Sequence, residues 1–506
     1  MKKITILILI ILTVFSGCER QKSDGSGYML NGYLTANPDN LDPAASGNNA
    51  AANVICNIYK SLGESAVLQN EPVSQSPQSL KEDISPQSLQ EDISPQSLKE
   101  DVSPGSLQSQ EILTFALNEN YWNNGERVTA ADYKFGLERM GYTDGKDGNV
   151  IKVVNENTLE LSANFEKKIG EIYPCNEKFF NNAKGRYGLD DENVLSNGDF
   201  YVTKWFYDPY GKDNILNISR NNYNSQVEKT YPTKIYYKIV NSDGSDYYVS
   251  DKPSRSNMVC EEYKVGTLGL VFNFESDDLK KVLAMSINRS SDDTDRADGG
   301  ADSVISYGIV PDTVSVLGKS YREIINEKNL SKYDAAAAKS LYESSPEITD
   351  TMSKNFKITA NVNDISSSEL IRITKYWNEL FGITVSFDLL EDDEYNTKLQ
   401  SRDFEIAVYR LTLDENNPET YLKKIKDKID TNLNIDNYFN ELSGKKNLSE
   451  CVEIYGEIEK EFSSTGIFCP VKWKIVYLEH TKQTKDIEYR SYNNTVYFKN
   501  AKYFED

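Results

Sequence analysis

The chain has 506 residues and a formal net charge of −22, from 56 lysines and arginines against 78 aspartates and glutamates. This length predicts roughly three domains or one large multi-lobed body, and 39% hydrophobic with 11% aromatic residues is enough for a buried core. Such an acidic chain argues against a nucleic-acid-binding protein, which needs clustered lysine and arginine. The single histidine, His480, argues against His-based catalytic triads and multi-His metal sites.

The amino terminus has the pattern of an export signal. Lys2 and Lys3 precede an apolar run, 4–15, that is too short to span a hydrocarbon core of ~30 Å as a helix. The run leads into Ser16-Gly17-Cys18, which resembles the cleavage motif of bacterial lipoproteins, although Phe15 stands where that motif usually has Leu. The resemblance implies a signal peptide over residues 1–17 and a diacylglycerol on the Cys18 thiol. The alternative is an ordinary secretory signal with a chance cysteine.

Two segments after the apolar run have too few apolar residues to build a core. Residues 18–27 are polar and rich in Gly and Ser, which predicts a flexible tether. Within 74–107 a short unit recurs every nine residues, marked by Pro77, Pro86, Pro95 and Pro104. We interpret this repeat as an exposed, mostly disordered expansion, because each unit holds one proline, several acids and only two apolar residues. The alternative is a partner-binding or spacer segment.

The cysteines beyond Cys18 give no metal or redox pattern. None of them sits in a CxxC pair, and the set is odd in number: Cys56, Cys175, Cys260, Cys451 and Cys469. An odd number leaves at least one free thiol unless a bridge joins two chains. We expect buried, apolar cysteines, and one bridge among them is the alternative for an exported protein.

The remainder of the chain reads as α/β. Thr129 to Asp132 has the capping-box pattern, which predicts the start of a helix. A second helix is predicted over 366–381, where Leu370, Ile373, Trp377 and Leu380 recur at helical spacing before Gly382. Alternating apolar residues then predict strands at 383–387 and 404–408. Helices and strands that alternate in this way are typical of an α/β lobe.

The chain contains one long motif and several shorter ones, whose order along the chain is informative. The long one is YWNNGERVTAAD at 121–132, directly after the strand-like 113–117, and the shorter ones are NLDP at 40–43, 173–179, 197–205, 272–273 and 283–289. Together with 377–422 and 470–504, they resemble the peptide/nickel class of extracytoplasmic solute-binding proteins (family 5). The greatest resemblance is to the oligopeptide-binding lipoproteins of ABC importers.

The resemblance implies an α/β, two-lobed periplasmic-binding-protein-like fold (type II) with an additional inserted domain. Lobe I is expected to be discontinuous, because the chain leaves it twice and returns. The expected divisions are lobe I at 28–50, 187–262 and 483–506, the inserted domain with the nine-residue repeat at 51–186, and lobe II at 263–482.

The resemblance also implies where a ligand lies. In this family a peptide lies extended between the lobes, pairs with backbone, and has its α-amino group held by an acidic side chain. Asp414, in LDENNPETYL at 413–422, falls on that aspartate, and an enclosed ammonium needs a charged partner. We therefore predict that Asp414 binds the peptide's amino terminus; its alternative role is to cap the loop before Pro418. The predicted cleft wall consists of Asn37, Pro38, Leu411 and Thr412.

Some positions depart from the family pattern. Leu411 stands where the family often has Trp, and Leu268 and Gly269 stand at positions that are aromatic in related proteins, which predicts a larger or differently shaped pocket. Lys60 and Asp199 replace the usual Glu and Pro. Arg410 is a candidate for a ligand carboxylate, although it matches no family arginine, and an exposed arginine without such a role is the alternative.

The sequence therefore predicts a lipid-anchored binding protein on the outer face of the bacterial membrane. We expect it to be a monomer that captures short peptides for the permease of an ABC importer, with no nucleic acid, catalytic residue, cofactor or metal. The alternative is a surface lipoprotein with the same fold that acts as a sensor or adhesin, and an absence of neighbouring permease and ATPase genes would favour it. An exported hydrolase would need paired carboxylates such as Glu261-Glu262 or Asp392-Asp393, but adjacent acids in so acidic a chain are typical of a solvated face.

Overall fold

The computed structural model describes most of the chain that follows the predicted tether. The described residues are 28–45, 47–69, 112–224, 231–253, 255–287, 303–306, 308–316, 319–325, 333–346, 348, 355–428, 433–445 and 448–504. The predicted signal peptide, the tether with Cys18, and the nine-residue repeat lie outside the described residues.

Strands occur throughout the described chain. In chain order they are β1 (Tyr28–Leu34), β2 (Ala66–Leu68), β3 (Ile112–Leu117), β4 (Ile151–Asn155), β5 (Thr158–Ser162), β6 (Phe200–Phe206), β7 (Ile215–Arg220), β8 (Pro232–Ile239), β9 (Tyr247–Ser250), β10 (Val259–Phe272), β11 (Ser303–Ile305), β12 (Ser315–Val316), β13 (Lys319–Ser320), β14 (Phe356–Asn361), β15 (Val385–Leu390), β16 (Ile406–Thr412), β17 (Phe468–His480), β18 (Thr484–Lys485), β19 (Glu488–Arg490), β20 (Thr495–Tyr497) and β21 (Lys502–Tyr503).

The helices lie between these strands. In chain order they are α1 (Asn49–Ile58), α2 (Leu62–Ser65), α3 (Ala130–Arg139), α4 (Glu177–Asn182), α5 (Asp277–Met285), α6 (Tyr321–Ile325), α7 (Ala335–Ser344), α8 (Ser367–Phe381), α9 (Asp392–Ser401), α10 (Pro418–Lys428), α11 (Leu433–Gly444) and α12 (Leu448–Ser464). Among the described residues, no helix is both long and apolar enough to cross a bilayer.

Three larger sheets organise the molecule. One four-stranded sheet has the order β1-β8-β7-β6, and another, β2-β3-β5-β4, comes from the segment between α2 and α4. The third is a seven-stranded sheet in the order β11-β17-β10-β16-β14-β15, and β9 pairs with β17. Parallel pairs such as β1 with β8 and β14 with β15 lie beside antiparallel pairs such as β10 with β16, so the fold is mixed α/β, as predicted.

The two longest strands, β10 and β17, pair antiparallel along most of their length and connect two bodies. At one end, Leu478 of β17 belongs to a core shared with β1, α1, α3 and both four-stranded sheets. At the other end, Leu270 and Val271 of β10 enter the cores of the carboxy-terminal helices. The register shifts between Lys264 and Gly266 and between Leu268 and Gly269, so the pairing is irregular where the strands pass from one body to the other.

Alternation along β10 explains why the seven-stranded sheet is covered on both faces. Leu268, Leu270 and Phe272 pack into one cluster with α5 and α8, whereas Val271 packs into another with α10 and α12. Successive strand residues point to opposite faces. The carboxy-terminal body is therefore a sheet between two helical layers, as the alternating helices and strands of its sequence predict.

The local sequence predictions are confirmed where the structure describes them. Thr129 and Asp132 form the capping box of α3. Helix α8 starts after Ser366, whose hydroxyl accepts the Glu369 N–H, and ends at Gly382 in the left-handed region with φ 69, which glycine tolerates because it has no Cβ. The strand predicted at 383–387 begins two residues later, at Val385, because Ile383 still belongs to the turn that closes α8.

The cysteines form no bridge with one another in the described structure. All five described thiols are free; Cys260 is exposed, and the buried ones are Cys56, Cys175, Cys451 and Cys469. Burial raises the pKa of the Cys56 thiol to about 12, which keeps it in the unreactive neutral form. The expectation of mostly buried, apolar cysteines is confirmed, and the alternative of one bridge is not found among these residues.

Candidate functional site

The candidate site is built around the end of β16. This strand pairs with β10 along its whole length, from Phe272 opposite Ile406 to Gly266 opposite Thr412. It pairs with β14 only at Ile406 and Ala407. Among the described strands, none therefore pairs with Val408–Thr412 on the side away from β10. A strand edge of this kind can accept an extended chain through backbone hydrogen bonds.

Two side chains donate hydrogen bonds to carbonyl oxygens of this part of β16. The Tyr395 hydroxyl, on α9, donates to the Val408 carbonyl, and the Lys424 ammonium, on α10, donates to the Thr412 carbonyl at 2.8 Å. Residues 408 and 412 have the same parity along the strand and therefore point their backbone groups to the same side. The edge of β16 is thus bounded at both ends by side chains from neighbouring helices.

Asp414 lies two residues beyond the strand, and its side chain is 61% exposed. Its carboxylate accepts a hydrogen bond from the Lys424 Nζ, and the two side chains form an ion pair. The sequence pattern did not identify Lys424, because it lies ten residues after Asp414 and only the turn of α10 brings it back. A search for lysines on the helix that follows Asp414 could have found it, but many lysines would satisfy that search.

Two further acidic side chains affect the electrostatics of this loop: Glu415, which lies in the loop, and Glu171. Glu415 follows Asp414 and accepts a hydrogen bond from the Thr420 hydroxyl at 2.8 Å. Burial and the charge of Glu415 raise the pKa of Glu171, whereas Lys168 lowers it. Lys168 and Glu171 belong to the predicted inserted domain and Glu415 to the predicted lobe II, so the charge of Glu415 acts on groups of the other body. No pattern in the sequence predicts this interaction, since the residues are far apart in the chain.

The predicted cleft residues at the end of β1 are held in place by hydrogen bonds. The Trp205 indole N–H donates to Asn37 Oδ1 at 2.9 Å, and the Asn48 side chain donates to the Asn37 carbonyl at 2.9 Å. Pro38 is buried. A few residues on, the carboxylate of Asp42, in the NLDP element, accepts hydrogen bonds from the two Nη atoms of Arg139. These contacts fix the loop after β1.

The other predicted wall residues differ in exposure. Thr412 is exposed, whereas Leu411 is 0% exposed and packs with Tyr421 and Leu422. The Leu411 side chain therefore presents no surface to a ligand in this conformation. The space beside Gly269 is occupied by Phe468, whose ring atoms would lie 2.4 Å from a Cβ placed on that glycine. A larger side chain at position 269 would therefore clash with the ring of Phe468, which explains the glycine there.

Three of the remaining charged candidates, Arg410, Glu261 and Asp392, have partners within the protein. Arg410 pairs with Asp364 at 2.8 Å, so its charge is already matched. Glu261 lies beside His480 and accepts a hydrogen bond from the Tyr263 hydroxyl, and Asp392 accepts one from the Asn361 amide at 2.6 Å. Among the described residues, no group of three or more His, Cys, Asp or Glu could hold a metal ion.

The fold resembles that of the two-lobed solute-binding proteins. No family model matches the chain. A murein tripeptide-binding protein, MppA, in its unliganded open form has a TM-score of 0.67 at 14% identity, covering 95% of this chain and 98% of the other. The ABC transporter substrate-binding protein CtaP of Listeria monocytogenes has a TM-score of 0.63 at 15% identity, covering 94% and 100%.

In sequence, the chain is similar to the oligopeptide-binding protein OppA of Bacillus subtilis (strain 168). The two are 21% identical over 371 residues, which is 62% of this chain and 67% of OppA. The resemblance to oligopeptide-binding proteins of ABC importers and the two-lobed α/β fold are confirmed by these comparisons.

Proposed function

We propose that this protein is the solute-binding component of an ABC importer, and that it captures short peptides between its two lobes. The observation that carries the proposal is the unpaired edge of β16 at Val408–Thr412, which ends beside the acidic Asp414. Two of the similar proteins bind peptides by name, an oligopeptide-binding and a murein tripeptide-binding protein.

A peptide would bind along β16 as an added strand. Backbone hydrogen bonds at a strand edge give affinity without dependence on side chains, and water-filled pockets can accommodate varied side chains. Asp414 would lie at the amino end of the ligand, with Thr412 and the loop of Asn37 and Pro38 around it. Leu411 would not contact the ligand, since its side chain is buried and its backbone, opposite in parity to Thr412, faces β10.

The pair β10–β17 would serve as the hinge between the lobes. The two register shifts lie where the strands leave one core and enter the others, and bulges locally disrupt a ladder and bend a strand. Lobe I would comprise 28–50, 187–262 and 483–506, with 51–186 as the inserted domain and 263–482 as lobe II.

The cellular setting is part of the same proposal. A lipid on Cys18 and a tether over 18–27 would hold a monomer at the outer face of the membrane, where it meets the permease. The protein would act by binding without chemistry. Support for this comes from the lipoprotein-like sequence at 15–18 and from the partners already held by Glu261 and Asp392, one member of each acidic pair.

Mass spectrometry of ligand released from the purified protein tests the proposal. We expect co-purified short peptides, and binding of a mixed peptide library in the micromolar range or tighter by calorimetry. Asp414→Ala should weaken binding, and Asp403→Ala is the matched control because Asp403 is also exposed but lies at the opposite end of β16. No released peptide and no binding from the library would contradict the proposal, as would turnover of peptide or glycan substrates.

A further inference from the structure

Lys424 holds two acceptors of the proposed peptide site at once. Its ammonium donates to the carboxylate of Asp414 and to the carbonyl oxygen of Thr412, the latter at 2.8 Å. These are the last carbonyl of the strand edge and the nearest acidic side chain beyond it. An ammonium group has three N–H donors, and two of them are used here within the described structure.

The position of Lys424 is set by the packing of α10. Tyr421 and Ile425, its neighbours on the helix, are 2% and 0% exposed and anchor that face of α10 in the core. The Tyr421 hydroxyl also donates to the Leu411 carbonyl at 3.2 Å, which ties the helix to β16. The Lys424 side chain is only 26% exposed, so the ammonium projects from a fixed backbone towards Asp414.

A peptide ligand that began beside Thr412 would present its own ammonium to the same acceptors. A carboxylate and a strand carbonyl are the groups that an α-amino terminus needs. We propose that Lys424 occupies this ammonium position, so that the protein binds peptides without requiring a free α-amino group. This inference rests on the proposed peptide-binding function, because it concerns the ligand class of that same site.

Charge repulsion explains why a free amine would gain little. A second ammonium at Asp414 would either lie next to Lys424, which like charges disfavour, or displace it and break its charge-assisted hydrogen bonds. A ligand whose amino end is acylated avoids this conflict, and its acyl carbonyl could accept the third N–H of Lys424. Other charges also contribute to the electrostatics of the site, namely those of Glu415, Glu171 and Lys168. They are the same in all the variants compared below.

Two peptide libraries of the same mixed sequences, three to six residues long, provide the test. One library keeps free amino ends and the other is acetylated, and retention by the full chain is measured by equilibrium dialysis and mass spectrometry. We expect the wild type to retain the two libraries equally within about threefold. Lys424→Met should favour free amines by about tenfold or more, which corresponds to 1.4 kcal/mol. Lys424→Gln provides a second, polar variant in case methionine disturbs folding.

Lys423→Met is the matched control, because Lys423 is the adjacent residue on α10, is exposed, and loses the same charge. It should retain both libraries as the wild type does. A tenfold wild-type preference for free amines, or wild-type ratios in both Lys424 variants, would overturn the inference while leaving the proposed function intact. Retention of neither library by any variant would instead contradict the proposed function itself.

Discussion

The two bodies that β10 and β17 connect are built in different ways. The amino-terminal body has one large core that spans both of its sheets, beside a small cluster around Tyr187; Leu30 of the first sheet, Trp122 of the long sequence motif and Phe115 of the second sheet belong to the large core. The carboxy-terminal body has separate clusters on the two faces of one sheet. A shared core links many segments of the amino-terminal body to each other. In the carboxy-terminal body, the packing on each face of the sheet depends on the helices of that face alone.

Buried charges show the same difference. In the amino-terminal body, the ion pairs Arg139–Asp42 and Lys60–Asp199 join segments that already share a core. In the carboxy-terminal body, the Glu459 carboxylate is 0% exposed and accepts hydrogen bonds from the Ile309 and Val310 N–H groups, the Tyr321 hydroxyl and the Arg322 guanidinium. One carboxylate on α12 thus holds both 309–310 and 321–322 against one face of the sheet.

The largest effect is expected from removing the charge of Glu459. Glu459→Gln keeps the shape but leaves the Arg322 guanidinium, whose side chain is 9% exposed, without its buried counter-charge. Breaking one side of a buried pair typically costs ~3–5 kcal/mol, so urea unfolding should show a loss of that size. Hydrogen exchange should lose protection in 308–325 and α12 before the amino-terminal body.

An exposed ion pair of the amino-terminal body provides the control for Glu459. Lys152 pairs with Glu160 at 2.9 Å and its side chain is 62% exposed, so Lys152→Gln should change stability by only ~0–1 kcal/mol. Equal losses in the two variants would show that the divided core does not depend on Glu459.

A smaller loss of stability is expected from breaking the ion pair between Lys60 and Asp199. The pair lies beside the shared core, and the positive charge of Arg220 also interacts with Asp199. Their side chains are 12% and 5% exposed and their charged atoms are 3.0 Å apart. The backbone beside them is already tied, since Asn197 exchanges hydrogen bonds with the N–H and carbonyl of Lys60. Lys60→Met should lower the free energy of unfolding by ~1–3 kcal/mol, less than the full cost of breaking a buried pair.

A double-mutant cycle separates the pair from its surroundings. Asp199→Asn alone should also destabilise, and the double variant Lys60→Met, Asp199→Asn should lose less than the sum of the two single losses, because neither charge is then left alone. Additive losses in urea unfolding would show that the two departures from the family pattern are independent of one another.

Much of the fold could be predicted from the sequence, because its signals are local. The capping box at Thr129 and the helix ended by Gly382 each depend on neighbouring residues, and the structure confirms them. The strand predicted at 404–408 begins two residues later, at Ile406, and it is buried on both faces rather than alternating, because Ala407 also packs in a core cluster. The coupling of Lys60 with Asp199 could not be predicted, although both positions were recognised as unusual. Their side chains meet only because β6 and the end of α1 are packed side by side, which no spacing in the sequence encodes.

The candidate site was predicted less completely than the fold. Asp414 was identified by resemblance, and its exposure fits a binding role that stays a prediction. Leu411 was predicted in the cleft wall, but a strand's faces depend on its neighbours, and the structure turns its side chain into the core. Lys424 and Glu171 were missed because their approach to the 413–417 loop depends on tertiary packing.

The smallest expected effect concerns His480, near the end of β17 in the amino-terminal body. It is 4% exposed, and its Nε2 lies 3.5 Å from Glu261 Oε1. Burial lowers the pKa of His480, but the hydrogen bond and charge of Glu261 and the hydrogen bonds to the Thr481 and Thr484 backbone together outweigh burial, so the net pKa is raised. Protonated His480 therefore stabilises the fold fully below its unfolded pKa of about 6.5, and this stabilisation is lost as the pH rises through the folded pKa.

Stability measured from pH 6 to pH 8 checks this sign. The wild type should lose more stability over this range than His480→Gln, which has no proton to release at this position. Glu261→Gln removes the charged group that raises the pKa but keeps the hydrogen bonds to the Thr481 and Thr484 backbone, so this variant should lose less stability than the wild type between pH 6 and pH 8. Parallel pH profiles for the wild type and His480→Gln would contradict the assignment. A Glu261→Gln profile as steep as that of the wild type would show that the backbone hydrogen bonds, and not the Glu261 carboxylate, raise the pKa of His480.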